Sequence, residues 1–229
     1  MFADRMDAGV KLSQKLLHLK DKDPAVFALA RGGVPVGFEV AVALGAPLDA
    51  VLVRKLGAPY HEELAIGAIV DGPHPDIILN HSIIDGLGVP SDYVQRVTDQ
   101  ELAEIARRKA LYFRGRSRVD AKGKTAIVVD DGIATGATMR AALSSIRHQS
   151  PARLVLAVPV ATLDTIAELR PEIDEIVCLY QPEWLGAISV FYEDFRQVSD
   201  EEVVDLLERA TGLKSAKAPA PAGATSKSA

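Results

Sequence analysis

Short aliphatic, β-branched runs alternate with helix-compatible segments along most of the chain, and this alternation restricts the fold more than any other feature. The runs are Ala25–Ala30, Leu48–Arg54, Thr125–Val129, Arg153–Val160 and Glu175–Tyr180. Each is apolar throughout or nearly so, as a strand covered on both faces requires. Helical spacing follows in Val34–Leu44, Thr138–Gln149 and Leu163–Leu169, the first of these entered through the turn Arg31-Gly32-Gly33. Strand, turn, helix, strand is a βαβ unit, whose strands lie parallel. The expected fold is α/β: a doubly wound, mostly parallel sheet of about five strands.

Other segments elaborate that frame. Val10–Leu19 has the apolar spacing of a short amphipathic helix, broken at Asp23-Pro24. Leu64–Val70 and Asp76–Leu79 suit an antiparallel hairpin across Asp71-Gly72-Pro73. Ser91 is placed to cap a long helix reaching about Phe113, with Val94, Val97, Leu102 and Ile105 on one face and Glu104 and Arg108 in i,i+4 register. Val198–Arg209, with Ser199 as cap, reads as a terminal helix. The expected division is one domain over residues 1–210, with an insertion at about 57–120. Residues 211–229, rich in Ala, Pro, Lys and Ser, form a tail expected to be disordered because it has too little apolar surface to bury. No internal repeat is present.

Composition limits the function. The chain has 229 residues and is 48% hydrophobic, enough for a packed core. Lys and Arg number 26 against 31 Asp and Glu, a formal charge of −5, which argues against general nucleic-acid binding. The single cysteine, Cys178, has no partner for an internal disulfide and sits in an apolar run. No signal peptide or membrane span is apparent, so a cytoplasmic protein is expected.

Function is written most densely in Ile127–Met139. Apolar residues end in Asp130 and Asp131, and Gly132-Ile133-Ala134-Thr135-Gly136-Ala137-Thr138 leads into a helix. Free N–H groups and the helix dipole at such a turn favour a phosphate. Carboxylates repel phosphate, so the acidic pair serves sugar hydroxyls, a divalent cation or a developing positive charge.

Val128-Val129-Asp130-Asp131-Gly132-Ile133-Ala134-Thr135-Gly136-Ala137-Thr138 resembles the phosphoribosyl pyrophosphate (PRPP) signature of type I phosphoribosyltransferases, two acidic residues followed by Thr-Gly-x-Thr. The resemblance implies that Thr135, Gly136, Ala137 and Thr138 bind the 5′-phosphate. It implies that Asp130 and Asp131 hold the ribose hydroxyls and stabilise an oxocarbenium-like transition state. Ala30-Arg31-Gly32-Gly33 resembles the family's pyrophosphate loop, which implies Arg31, Gly32 and Gly33 as pyrophosphate ligands and a non-proline cis peptide at Ala30–Arg31 or one bond later. Arg54 and Lys55, read as the end of the second strand, would neutralise the leaving group. Strand alternation turns only one of them inward, and Lys55 is favoured as the catalytic cation.

The region after Pro59 falls where the family carries a mobile lid. His61, Glu62 and Glu63 lie there without assignable roles. The basic stretch Arg107, Arg108, Lys109, Arg114, Arg116 and Arg118 has three readings: a solvated helix end, pyrophosphate contacts, or a site for RNA or another polyanion. A C-terminal hood is expected over about 181–197, where Trp184, Phe191, Tyr192 and Phe195 offer either a stacking face for a nucleobase or a small satellite core. Glu183–Phe195 resembles the C-terminal part of a bacterial subgroup of predicted phosphoribosyltransferases, and that resemblance covers most of residues 1–210.

The resemblance implies PRPP and Mg²⁺ as substrate and cofactor. The metal would arrive with PRPP, without direct protein ligands, and Asp130 and Asp131 would reach it through water. A small nitrogen acceptor, purine-like, completes the reaction, and a homodimer is left open. Many 6-oxopurine enzymes of the family have Asp where this chain has Ala134, so the motif leans away from hypoxanthine and guanine. The rival reading is a non-catalytic PRPP-binding regulator that contacts nucleic acid or a protein partner. A third is phosphorolysis or hydrolysis of a phosphorylated ribose compound.

Overall fold

The computed structural model describes residues 1–72 and 75–215, without the side chains of Glu62, Glu63 and residues 213–215. The chain opens with α1 (Arg5–Leu16), which starts five residues before the amphipathic pattern does. Asp4 caps it, accepting from the Asp7 N–H at 2.8 Å. Ala8, Leu12 and Leu16 form its buried stripe. Gly9 lets it lie against the next helix, since a Cβ there would stand 2.7 Å from the Val36 carbonyl oxygen. β1 (Pro24–Leu29) and α2 (Gly33–Leu44) follow, and then β2 (Leu48–Val51).

Here the structure departs from the apolar pattern. Leu48–Arg54 is not one strand: β2 stops at Val51, and β3 (Val53–Ala58) begins a second sheet. The cause is pairing. The last β1–β2 partners are Leu29 and Val51, so residues beyond Val51 have no neighbour in the first sheet and turn to satisfy their backbone groups elsewhere. They pair antiparallel with β4 (His61–Val70), which pairs in turn with β5 (Asp76–Leu79), the expected hairpin. Arg54 and Lys55 therefore lie inside an antiparallel ladder, opposite Ile69 and Ala68, rather than at the end of a parallel strand.

A short helix with no sequence signal beyond its Asn80 cap, α3 (His81–Leu87), leads to α4 (Ser91–Tyr112). Ser91 is the first residue of α4 rather than its cap. Extended Pro90 precedes it, and no side chain caps this end. Ile105 and Tyr112 are buried, and Val94, Val97 and Leu102 pack beside them.

The remaining elements are β6 (Thr125–Val129), α5 (Ala137–His148), β7 (Arg153–Val160), α6 (Leu163–Leu169), β8 (Glu175–Tyr180) and α7 (Asp200–Ser215). Ser199 and Glu202 form a reciprocal capping box at the start of α7: the Glu202 N–H donates to Ser199 Oγ at 3.1 Å, and the Ser199 N–H to Glu202 Oε2 at 2.8 Å. α7 continues to Ser215, past the expected boundary at 210, and residues 216–229 of the expected tail lie outside the described residues.

The main sheet has five strands in the order β2-β1-β6-β7-β8, all parallel. It is buried on both sides. Val26, Ala28, Ile127 and Val129 face a core completed by α1, α2 and α7. Phe27, Leu29, Val128 and Leu156 face the opposite core, closed by α5, α6 and residues of the second sheet. From β1 the chain moves outward to β2, then returns to the other flank of β1 as β6. This reversal is the switch point at which open α/β sheets bind ligands, just outside the carboxyl ends of β1 and β6.

Candidate functional site

The loops leaving β1 and β6 press together at that switch point. The Ala30–Arg31 peptide is cis, at the first of the two bonds expected. A Cβ on Gly32 would land on Asp131 Oδ2, and one on Gly33 would stand 2.8 Å from the Val129 carbonyl oxygen. Only glycine permits that approach.

The β6 loop is braced along its length. The Ile133 N–H donates to the Val160 carbonyl at 2.9 Å, and Thr165 Oγ1 donates to the Ala134 carbonyl at 3.1 Å. Gly136 turns left-handed, φ 76°, directly before α5. The first-turn amides of α5, beginning at Ala137 and Thr138, are thereby presented without intrahelical acceptors. Gly136 is buried, Ala137 and Thr138 are half-buried, and Thr135 is exposed.

Between these loops lies a cavity of about 360 Å³, lined by Arg31, Gly32, Asp130, Asp131 and Thr138 from the expected set, by Phe195 of the expected hood, and by Arg5 and Val53 outside both. Desolvation at the strand end pushes the Asp130 carboxyl well above the usual range, with the neighbouring Asp131 charge adding to it. Asp131 is also raised by burial, opposed by Arg5, whose Nε donates to its Oδ2 at 2.7 Å. One oxygen of each carboxylate, Asp130 Oδ2 and Asp131 Oδ1, makes no hydrogen bond among the described residues.

The two cations of β3 separate as alternation requires. Arg54 turns away and pairs with Glu101 on α4. Lys55 shares the strand face of Val53, which lines the cavity. Arg31 lines the cavity too, and its Nη1 stands 3.7 Å from Asp200 Oδ1. His61 is exposed at the start of β4, and the Glu62 and Glu63 side chains lie outside the described residues.

The hood is a satellite core rather than an aromatic platform. Phe2, Ala8 and Tyr192 are buried together, with Phe191 and Phe195 beside them. Tyr192 is not a stacking surface: its ring lies 5.2 Å from that of Phe2, and its hydroxyl donates to the Asp131 backbone carbonyl at 2.5 Å. It supports the acidic loop from behind. Trp184 is 81% exposed and outside the cavity lining.

The N-terminus completes this hood, which sequence reading missed. The Phe2 N–H donates to the Phe191 carbonyl at 2.8 Å, and the Glu193 N–H to the Phe2 carbonyl at 2.9 Å. That pairing brings Arg5 to Asp131. No periodic pattern announces it, because the register depends on residues almost a full chain length apart.

The basic stretch resolves into separate pairs. Arg107 and Arg108 bind Glu104, and Arg107 also binds Asp200. Lys109 and Arg118 bind Asp71, and Arg118 also binds Asp49. Arg116 donates to the Leu48 carbonyl. Arg107, Lys109, Arg116 and Arg118 hold α4 and the following loop to the body of the protein, whereas Arg108 pairs within α4 and Arg114 is exposed.

Among the described residues no cluster of three or more His, Cys, Asp or Glu is arranged for a metal, and no helix is long and apolar enough to cross a membrane. A switch-point cavity is thus framed by a glycine loop, an acidic pair and a braced helix start. The family model of the phosphoribosyl transferase domain matches residues 5–196, and the chain belongs to that family.

Two sequences from strains of Mycobacterium tuberculosis, MT0597 and Rv0571c, phosphoribosyl transferases by name, are 44% identical over 210 residues, covering 92% of this chain and 47% of theirs. The chain thus spans about half the length of these curated relatives. The crystal structure of TT1426 from Thermus thermophilus is similar at 38% identity and a TM-score of 0.76, over 91% of this chain and 98% of that one.

Proposed function

We propose that the chain is a phosphoribosyltransferase that transfers the 5-phosphoribosyl group of PRPP to a ring nitrogen of a purine-like acceptor and releases pyrophosphate. The observation that supports this reading is the close approach of Gly32 to Asp131, with Arg31, Gly32, Asp130 and Asp131 lining one cavity. In this reading Thr135, Gly136, Ala137 and Thr138 take the 5′-phosphate through amides and hydroxyls. The unbonded oxygens of Asp130 and Asp131 accept the ribose hydroxyls. Arg31 and Lys55, with the glycine amides, draw charge off the departing pyrophosphate.

The acceptor nitrogen forms a bond to C1 as the C1–O bond breaks. The bonding pair leaves with pyrophosphate, and the nitrogen's proton passes to solvent, since Ala134 offers no base. Hard carboxylate oxygens suit Mg²⁺, and Asp130 and Asp131 would hold it through water while it neutralises pyrophosphate charge. Catalysis rests on positioning and electrostatics.

The test is incubation of the protein with PRPP, Mg²⁺ and a nucleobase library, with nucleotide product and pyrophosphate both measured. A nucleotide appearing with one equivalent of pyrophosphate is the expected result. PRPP binding without product from any base would favour the regulator, and ribose phosphate formed without an acceptor would favour hydrolysis.

A further inference from the structure

Asp200 lies at a junction that the chemistry above does not use. It is the first residue of α7, and its carboxylate meets two other parts of the chain. Oδ1 accepts from the Tyr112 hydroxyl at 2.5 Å and Oδ2 from Arg107 Nη2 at 2.7 Å, both partners belonging to α4. Its side chain is only 16% exposed. The third neighbour is Arg31 of the glycine loop, whose Nη1 stands 3.7 Å from Asp200 Oδ1. At that separation the two form an ion pair without a hydrogen bond. The Arg31 guanidinium makes no hydrogen bond among the described residues, and Arg31 lines the cavity together with Gly32 and Asp130.

We propose that Asp200 is a positioning residue for the donor: it aims Arg31 at the pyrophosphate group by charge and leaves the guanidinium N–H groups for phosphate oxygens. The inference rests on the transfer reading. An arginine at a cavity wall loses rotamer freedom when an anion orders it, and that loss weakens binding. A fixed carboxylate can impose part of the order beforehand. Asp200 is fixed, because α4 engages both of its oxygens. The same engagement keeps it from bonding Arg31 closely, so the planar fork stays intact for the ligand. Neutralisation works the other way, since an anion beside Arg31 weakens its pull on pyrophosphate. Here it is offset. Arg31, Arg107 and Arg108 stand against Glu104 and Asp200 in one cluster, which keeps a net positive charge. The arrangement also ties the glycine loop to α4, the helix that closes the insertion, through a single carboxylate.

The test uses the full chain with Mg²⁺ and compares PRPP with ribose 5-phosphate, which has no pyrophosphate for Arg31 to meet. Binding is followed by calorimetry. Asp200→Asn should weaken PRPP by roughly tenfold, a share of the ordering entropy of one arginine, and leave ribose 5-phosphate within about twofold of wild type. In an Arg31→Ala background the same substitution should cost PRPP nothing further, because the two residues act through one contact. Tyr112→Phe, which lets Asp200 Oδ1 turn, should give a smaller loss in the same direction, and it decides by the same criteria if Asp200→Asn does not fold. Unchanged or tighter PRPP binding overturns the proposal. So does a loss of equal size for ribose 5-phosphate or in the Arg31→Ala background, either of which would make Asp200 a support of the fold alone. Failure of the wild type to bind PRPP at all is a different result, which removes the transfer reading itself.

Discussion

Asp130 and Asp131 are adjacent in sequence yet differently held. Asp131 is bonded to Arg5 and turned against Gly32, whereas Asp130 accepts the Asp131 N–H at 2.8 Å and has no cation in hydrogen-bond contact among the described residues. Asp131→Asn keeps the shape and removes the charge. Turnover should fall by roughly a hundredfold or more, the scale of losing one preorganised electrostatic group, while the melting temperature stays close to wild type. Pyrophosphate release and thermal denaturation read the two effects separately. Turnover equal to wild type would remove Asp131 from the mechanism.

Asp130 carries a pH signature. Its folded-state carboxyl titrates above the ordinary value of 3.8, because burial and the Asp131 charge disfavour ionisation. Above the unfolded value, the folded chain therefore holds a proton that the unfolded chain has released. The associated stability is complete below about 3.8 and is lost as pH rises through the raised value. Ligand-free protein should melt progressively lower over that window, and Asp130→Asn should flatten the trend and raise the melting temperature at neutral pH. Parallel melting-versus-pH curves for wild type and variant would contradict this.

Among the elements, the loop after α4 is held by buried charge. Asp49 and Asp71 each have side chains 1% exposed, and Arg118, itself 38% exposed, bonds to both at 2.8 and 2.6 Å. Removing one partner of a buried pair costs about 3–5 kcal/mol, and the exposure of the guanidinium brings the expectation for Arg118→Met to about 2 kcal/mol. Urea unfolding measures it, and a loss within error of zero would show that Lys109 and water suffice.

This pairing also explains what could be read from sequence. β6, β7 and β8 were legible to the residue, because continuous apolar runs bounded by turns have one stable placement. The acidic pair and both glycine loops were legible because their chemistry is local. The β2–β3 break was not, since it depends on where a neighbouring strand ends. Nor was the fate of the basic stretch, since Asp49, Asp71 and Asp200, which take up its charge, lie far away in sequence. Arg5 and Tyr192 were hidden for the same reason, their partners meeting only when the two ends of the chain close the hood.

At the scale of the whole molecule, charge weighs against nucleic-acid regulation. A polyanion site needs cations free to replace counterions on phosphates. Here Arg107, Arg108, Lys109 and Arg118 are each committed to a carboxylate, Arg116 is half-buried and reaches a backbone carbonyl through Nη2, and of the six only exposed Arg114 has no ion pair or hydrogen bond among the described residues. Engaging RNA through Arg107, Lys109, Arg116 or Arg118 would first break contacts that secure α4 and its loop to the body, with Asp49 and Asp71 losing their cations if Arg118 and Lys109 let go. The formal charge of −5 adds long-range repulsion. Low-salt mobility shifts with structured and single-stranded RNA should therefore show no complex at concentrations well above those that saturate with PRPP. A complex whose affinity falls steeply with rising salt would reverse the argument, and would mean that α4 releases its cations in solution.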